Sequence, residues 1–312
     1  CALRDEPVAK EITSQGEAAR ATIRSRIASY YDGIDASDVF LFSSGMAAVS
    51  AVHRAVSQAR EGAPTAQVEF PYLDSFKVQE QFGAGVIDLS VTESGGVEEI
   101  QAWLGEGKGI CAVFTELPSN PLLRTADLAG LSAVLRPQEI PLVVDDTVAS
   151  SVNVDPFRYA DVVTTSLTKT FSGAGDVAAG AVIVKRDAPS YESLRESLPS
   201  EEAASPLFSR DAIVLEKNSR HYGERVRATN EIAEEVIDFF EKRSEVEVLW
   251  HPSNQCRERY DLLKKESGGY GALFSFLLQG GERAAARNSD ALAVSKGQSL
   301  GTEFTLACAS TR

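Results

Sequence analysis

PLVVDDTVASSVNVDPFRYADVVTTSLTKTFSGAGDVAAGAVIV, residues 141–184, decides the fold. It holds three short apolar runs, PLVVD at 141–145, DVVTTS at 161–166 and AAGAVIV at 178–184, each bounded by polar or turn residues. Outward from it the same unit recurs as VFLF (39–42), AQVEF (66–70), AGVIDL (84–89) and ICAVFT (110–115). Helical stretches lie between many of the runs, for example Asp127–Leu135. After VFLF the chain reads SSGM and then AAVSAVHRAV, which places Ala48, Val49, Val52 and Val56 on one helical face: strand, tight glycine turn, helix. Buried strands alternating with helices predict an α/β fold with a mostly parallel central sheet covered on both faces.

The flanks differ in texture. Residues 8–31 mix Ala, Ile, Arg and Glu at helical spacing and predict an amphipathic helix leading into the body. Beyond about residue 210, a long helical stretch near 222–243 precedes VEVLW and GGYGALFSFLL, the pattern of a smaller C-terminal α+β unit. No internal repeat or low-complexity tract interrupts the chain.

Composition narrows the function. With 312 residues the chain is long enough for two domains or one large α/β unit. Its net charge of −14 argues against a phosphate-backbone binder, so no nucleic-acid partner is expected. No apolar run approaches the length of a membrane span. CALRDEPVAKE at the start carries charges where an export signal needs an apolar stretch, which predicts a cytoplasmic location. Cys1, Cys111, Cys256 and Cys308 stand far apart with no CxxC spacing, and His53, His221 and His251 are equally scattered, so no metal site is expected.

In open α/β sheets ligands bind beyond the carboxyl ends of the strands. The residues at those ends are Ser44-Gly45-Met46, Tyr72, Glu116 with Asn120, Asp145 with Thr147, and Ser166, Thr168 and Lys169. Each has an ordinary explanation when taken singly: a solvated lysine, a turn-forming Asp, a packing Tyr, an N-cap Ser. Together they form one chemical set. A glycine-opened helix offers N–H groups to a phosphate, with the hydroxyls of Ser166 and Thr168 beside it. An aromatic ring stacks on a flat heterocycle, a carboxylate keeps a pyridine nitrogen protonated, and a lysine condenses with an aldehyde and shuttles protons. That is the inventory for pyridoxal 5'-phosphate. Two other motif readings are weaker. Ser166-Leu167-Thr168-Lys169 fits the S-x-x-K of serine acyl-enzymes, but SDN and KTG are both missing. Gly173-Ala174-Gly175 lacks the G-x-G-x-x-G context of a dinucleotide loop.

FSSGMAAV, ELPSNPLLRTADL, VVDDTVAS, SLTKTFSGAGDVAAG, GYGALFSF and SKGQSLG, in that order from about residue 40 to 306, resemble the Cys/Met-metabolism group of pyridoxal phosphate enzymes. That group includes cystathionine γ-synthase, cystathionine γ-lyase and methionine γ-lyase. FPYLDSF and LEKNSR are similar to its fungal cystathionine γ-synthase-like branch. The resemblance implies a fold type I transferase with an N-terminal helical arm (1–38), a large cofactor-binding domain (39–215) and a C-terminal α+β domain (216–312). It implies roles as well. Lys169 would bind the cofactor and act as acid–base, Asp145 would pair with the pyridine nitrogen, and Tyr72 would stack on the ring. Ser44, Gly45, Met46, Ser166 and Thr168 would hold the phosphate. Asn120 would touch the ring hydroxyl and the substrate carboxylate, Glu116 and Thr147 would line the pocket, and Ser299 would lie near the bound amino acid.

The implied reaction is γ-substitution on an O-acyl-L-homoserine, joining a thiol, carbon or amine nucleophile to Cγ through a vinylglycine-type intermediate. A γ- or β-lyase of sulfur amino acids is the alternative, and a non-catalytic relative a more remote one. The implied partners are an amino-acid substrate and a second copy of the chain, as a homodimer or homotetramer. Two family elements have no counterpart here. No Tyr-x-Arg string is present for a neighbouring subunit's phosphate, Arg4 being the nearest residue. Nor does an R-L-S-V-G-like strand with its carboxylate-binding arginine follow SLG, and Arg312 is not assigned that role.

Overall fold

The computed structural model describes residues 10–309. Arg4, Arg312 and Cys1 lie outside them. In chain order the large body comprises α1 (Lys10–Ala28), β1 (Val39–Phe42), α2 (Gly45–Ala59), β2 (Thr65–Val68), α3 (Leu73–Phe82), β3 (Val86–Leu89), α4 (Val97–Gly105) and β4 (Val113–Glu116). It continues through α5 (Leu128–Leu135), β5 (Leu142–Asp145), β6 (Val162–Ser166), β7 (Gly180–Val184), α6 (Tyr191–Ala204) and α7 (Ser209–Asn218). Beyond it come α8 (Tyr222–Glu241), β8 (Val246–Trp250), α9 (Arg257–Asp261), β9 (Ser275–Leu278) and α10 (Gly281–Ala291), then two-residue strands β10 (Ser295–Lys296) and β11 (Leu306–Ala307).

Seven strands form one sheet in the order β1-β7-β6-β5-β4-β2-β3. Only β7 runs against its neighbours. All seven coincide with the apolar runs of the sequence to within a few residues, because strands covered on both faces are built mainly of apolar residues. β8 and β9 form a separate antiparallel pair.

The pleat sorts side chains strictly by parity. Phe40 and Phe42, Phe114, Val143, Val162, Val182 and Val184 point to the face that α2 and α6 cover. Val39 and Leu41, Val163, Ala181 and Ile183 point to the opposite face, under α1, α7 and α8. Val113, Leu142 and Val144 share that opposite face under α5 and the segment around Tyr260. The expected face of α2 is borne out, since Ala48, Val49, Val52 and Val56 are all buried.

Helix starts follow local capping. The Ser44 hydroxyl accepts from the Ala47 N–H at 3.1 Å and opens α2, and the Asp127 carboxylate accepts from the Gly130 N–H at 2.9 Å and opens α5. α1 is shorter than the 8–31 periodicity predicts. It ends at Ala28, where Tyr30 and Tyr31 donate to Ile27 and Ala28 in tight three-residue turns. This bend turns Tyr31 inward, and its hydroxyl donates to Asp146 Oδ2 at 2.6 Å.

His53 and His251 are buried and His221 is exposed. Cys111 is buried, Cys256 half-buried and Cys308 exposed, each as a free thiol. No helix among the described residues is long and apolar enough to cross a membrane.

Ile23 sits fully buried at the centre of the α1 contact with the sheet, in step with Ala19 and Ile27. Ile23→Ala is expected to cost about 2–5 kcal/mol. Ile232→Ala, at a side chain 62% exposed on α8, is expected to change stability by less than about 0.5 kcal/mol. Urea unfolding midpoints of the two variants check this difference.

Candidate active site

Strand parity places the chemistry. Glu116 follows Phe114, Asp145 follows Val143, and Thr164 and Ser166 follow Val162, so all four lie on the α2 face at the carboxyl ends of adjacent parallel strands. Register does the rest: Glu116 pairs with Asp145 across β4 and β5, and Asp145 with Thr164 across β5 and β6. A small hollow between sheet and helices is lined by Glu116, Asp145 and Thr164 with Val49, Gln67 and Ser75.

A chain of contacts closes around this edge. The Tyr72 N–H donates to Glu116 Oε1 at 2.5 Å. The Thr147 N–H donates to Asp145 Oδ1 at 2.9 Å, and the Thr147 hydroxyl accepts from the Ser166 N–H at 2.8 Å. Ser166 in turn lies against the first residue of α2: a Cβ on Gly45 would stand 2.8 Å from Ser166 Cβ, so only glycine fits. The Ser75 hydroxyl reaches Met46 Sδ at 3.8 Å and returns to α3, the helix that Tyr72 opens. Glu116, Tyr72, Asp145, Thr147, Ser166, Gly45 and Met46, separate in sequence, therefore border one site.

The electrostatics of the edge are unbalanced. Burial is the main cause that pushes the Glu116 carboxyl up to about 8, with the neighbouring Asp145 charge adding to it. Burial also raises Asp145 above the usual carboxylate range. Among the described residues neither acid forms an ion pair with a lysine, arginine or histidine. Lys169 follows Ser166 in the same turn, its N–H donating to the Ser166 carbonyl at 3.3 Å. Its half-buried amine has no carboxylate partner among the described residues, and burial alone pulls its pKa below the ordinary 10.5.

Two regions distant in sequence complete the surroundings. Gly301, of the SLG segment, packs so closely on the Lys169 backbone that a Cβ would meet Lys169 C at 2.1 Å. The segment carrying Ser299 is thus brought to Lys169, with the exposed Ser299 hydroxyl donating to the Leu300 carbonyl at 3.3 Å. Tyr72 is 55% exposed, its ring standing free at the rim. Asn120, half-buried, lends its backbone N–H to Glu116. Thr168 differs from the expectation for a phosphate donor. Its hydroxyl donates to the Ala179 carbonyl at 3.2 Å and accepts from the Ala179 N–H at 3.0 Å, bracing the turn. Ser166 is the hydroxyl left without such a bond among the described residues.

The donor set fits pyridoxal phosphate. An uncompensated pair of acids lies at one end, where a protonated pyridine nitrogen would restore balance, and the turn after the adjacent strand β6 carries Lys169, whose amine has a lowered pKa. The α2 N-terminus, with the Ser166 hydroxyl against it, offers N–H groups and a positive dipole end for a phosphate.

Sequence reading missed one polar group next to this site. Asp146, fully buried on the opposite face, accepts from Tyr31, and burial pushes its carboxyl up to about 7. The doubled acid in VVDD was the available signal.

The model of the Cys/Met metabolism PLP-dependent enzyme family matches residues 10–311. Cystathionine gamma-synthase of Neurospora crassa is 34% identical over 276 residues, covering 86% of this chain and 44% of that protein. A cystathionine gamma-synthase-like enzyme of Amanita muscaria is 32% identical over 299 residues, covering 87% of this chain and 47% of that one. The chain thus spans about half the length of these curated relatives. Among solved structures, cystathionine gamma synthase from Xanthomonas oryzae pv. oryzae in complex with cystathionine superposes with a TM-score of 0.79 at 25% identity, covering 95% of this chain and 75% of that one.

The buried acids set a pH dependence. In the cofactor-free chain, Glu116 and Asp146 hold protons when folded that they release when unfolded above about pH 4–5. The folded state then binds more protons, so stability falls as pH rises toward 8. His53, buried with neither ring nitrogen hydrogen-bonded among the described residues, works in the opposite sense, but only below its ordinary 6.5. Between pH 6.5 and 8 the thermal midpoint of the cofactor-free protein is therefore expected to fall, and Glu116→Gln to flatten that fall. Calorimetry at several pH values checks this, and a wild-type midpoint that rises across the window contradicts it.

Proposed function

The chain belongs to the Cys/Met-metabolism family of pyridoxal phosphate-dependent enzymes, and from that membership we propose that it catalyses γ-substitution on an O-acyl-L-homoserine. The observation that carries the reading is the half-buried Lys169 on the turn after β6, the strand that pairs with Asp145 of β5 and whose Ser166 packs on the α2 N-terminus, in a chain similar to cystathionine gamma-synthases. When bound, pyridoxal phosphate supplies an aldehyde that condenses with amines and a ring that accepts electrons from the carbons nearest the amino group.

The residues divide the remaining work. The N–H groups of Gly45 and Met46, with the Ser166 hydroxyl, bind the phosphate, and Ser44 holds their helix end open by capping it. Asp145, oriented by the Thr147 N–H, holds the proton on the pyridine nitrogen. Tyr72 covers the ring and excludes water. Lys169 would hold the aldehyde, and its free amine would take the substrate Cα proton and return a proton at the end of the reaction, a task suited by its lowered pKa. Loss of a Cβ proton and of the γ-acyloxy group opens Cγ to a thiol, carbon or amine nucleophile. A neutral Glu116 spares the substrate carboxylate and the departing anion from repulsion, and Asn120 and Ser299 orient the amino acid.

The proposal extends to organisation. Residues 39–215 form the cofactor-binding unit, flanked by an arm (1–38) and a C-terminal unit (216–312), and a homo-oligomer completes the site in the cytoplasm. Lyase chemistry begins from the same groups and differs in releasing a keto acid without an incoming nucleophile.

The test is the visible spectrum of the purified protein with pyridoxal phosphate, before and after O-acetyl-L-homoserine. A yellow band that shifts with this substrate and is lost in Lys169→Ala is expected, with acetate and the γ-substituted amino acid, and no keto acid, formed when a thiol nucleophile is supplied. A band indifferent to the substrate overturns γ-substitution. Keto acid formed in place of the γ-substituted product, with the thiol present, assigns the lyase reaction instead.

A further inference from the structure

The carbonyls of Thr170, Phe171 and Ser172, the three residues directly after Lys169, converge on one side chain of α8. Arg225 Nη2 donates to the Thr170 oxygen at 3.2 Å, the Phe171 oxygen at 2.9 Å and the Ser172 oxygen at 3.1 Å. The same nitrogen approaches the Asn218 oxygen at 3.4 Å, and Nε reaches Thr170 at 3.4 Å. Arg225 is half-buried, and no carboxylate forms an ion pair with it among the described residues. A buried guanidinium ordinarily takes a carboxylate. This one is given over to a cluster of carbonyl dipoles.

The turn is held on its other sides too. Asn218 Nδ2 donates to the Ser172 hydroxyl at 3.1 Å and to Asp176 Oδ1 at 2.8 Å. The Phe171 ring packs on Tyr222 with centroids 5.0 Å apart. Gly301 presses on the Lys169 and Thr170 backbone from the SLG segment. Position 173 is a glycine with a φ of 76°, and a Cβ there would stand 2.4 Å from Arg225 Nε. Every contact fixes the backbone from which the Lys169 side chain springs.

We propose that Arg225 is a positioning residue for Lys169, its guanidinium clamping the carbonyls of residues 170–172 so that the lysine amine is presented at one fixed place in the site. A lysine side chain has four rotatable bonds, and a displacement of about 1 Å at its base is enough to spoil alignment for proton transfer. Three carbonyls aimed at one point repel each other unless a cation with several donors gathers them. The guanidinium does so from Nη2 and Nε, held in one plane at fixed places, whereas the ammonium of lysine is a compact charge on a flexible stem. The inference rests on the assignment of Lys169 as the cofactor lysine, and the clamp itself is measurable without cofactor.

Arg225→Met and Arg225→Lys test it with two readouts. In the cofactor-free protein, amide exchange at Ser172 and Gly173, whose N–H groups donate to Leu167 and Lys169, is expected to quicken about tenfold or more in Arg225→Met. With pyridoxal phosphate bound, the pH midpoint of the visible band is expected to move by about one unit, with Arg225→Lys recovering part of both effects. Unchanged exchange in Arg225→Met overturns the clamp. Faster exchange with an unmoved midpoint overturns the positioning role, as does full recovery by lysine. If Arg225→Met does not fold, Arg225→Lys carries the same comparison. Lys169→Ala run alongside separates the two readings. A band that survives in it removes Lys169 as the cofactor lysine, and the positioning role with it, while the exchange data still decide the clamp.

Discussion

The register of three parallel strands governs this molecule. β4, β5 and β6 lie side by side, so the last residues of the first two, Glu116 and Asp145, become direct neighbours on one face of the sheet. Burial there denies both acids water, and no basic side chain pairs with them among the described residues. Two carboxyl groups held together out of solvent stay protonated or wait for a cation. The nearby turn with its uncompensated lysine and the α2 helix end supply the other parts of a site for a ligand that is cationic at one end and anionic at the other.

The hydrophobic core serves that arrangement. Apolar side chains alternate between the two faces of the sheet and press α2 and α6 on one side and α1, α7 and α8 on the other. The α2 N-terminus reaches the end of β6 because β1 and β6 both flank β7. Thr147 then ties the end of β5 to β6 with one hydrogen bond, while its own N–H orients Asp145. The opposite face carries a second polar group at the same level, in which Asp146, Tyr31 and Tyr222 lie buried and Lys265 donates to the carbonyls of Tyr30 and Ser151. The end of α1, the start of α8 and the loop after α9 are pinned there, directly behind Asp145.

Much of this was legible in the chain. Asp145, Ser166 and Lys169 each close or follow an apolar run, and a buried strand leaves a clear trace because most of its residues are apolar. Ser44 announced the start of α2 through capping chemistry, which acts over three residues. Other features left no local trace. Thr168 reads as a free hydroxyl until Ala179 is seen beside it. Arg225 reads as one more charge on an amphipathic helix until the carbonyls of residues 170–172 are found around it.

The sequence by itself determined the seven strands, their alternation with helices, the residues at their carboxyl ends and the chemical class those residues make up. These follow from interactions between residues a few positions apart, or from the simple requirement that buried strands be apolar. Only the tertiary structure decided which strand ends are neighbours, that Glu116 faces Asp145, that Gly301 meets Lys169 from 132 residues away in the numbering, and that α8 reaches back to the lysine turn. Such pairings depend on strand order and helix packing, which arise from the whole core at once, and no short window of sequence contains them.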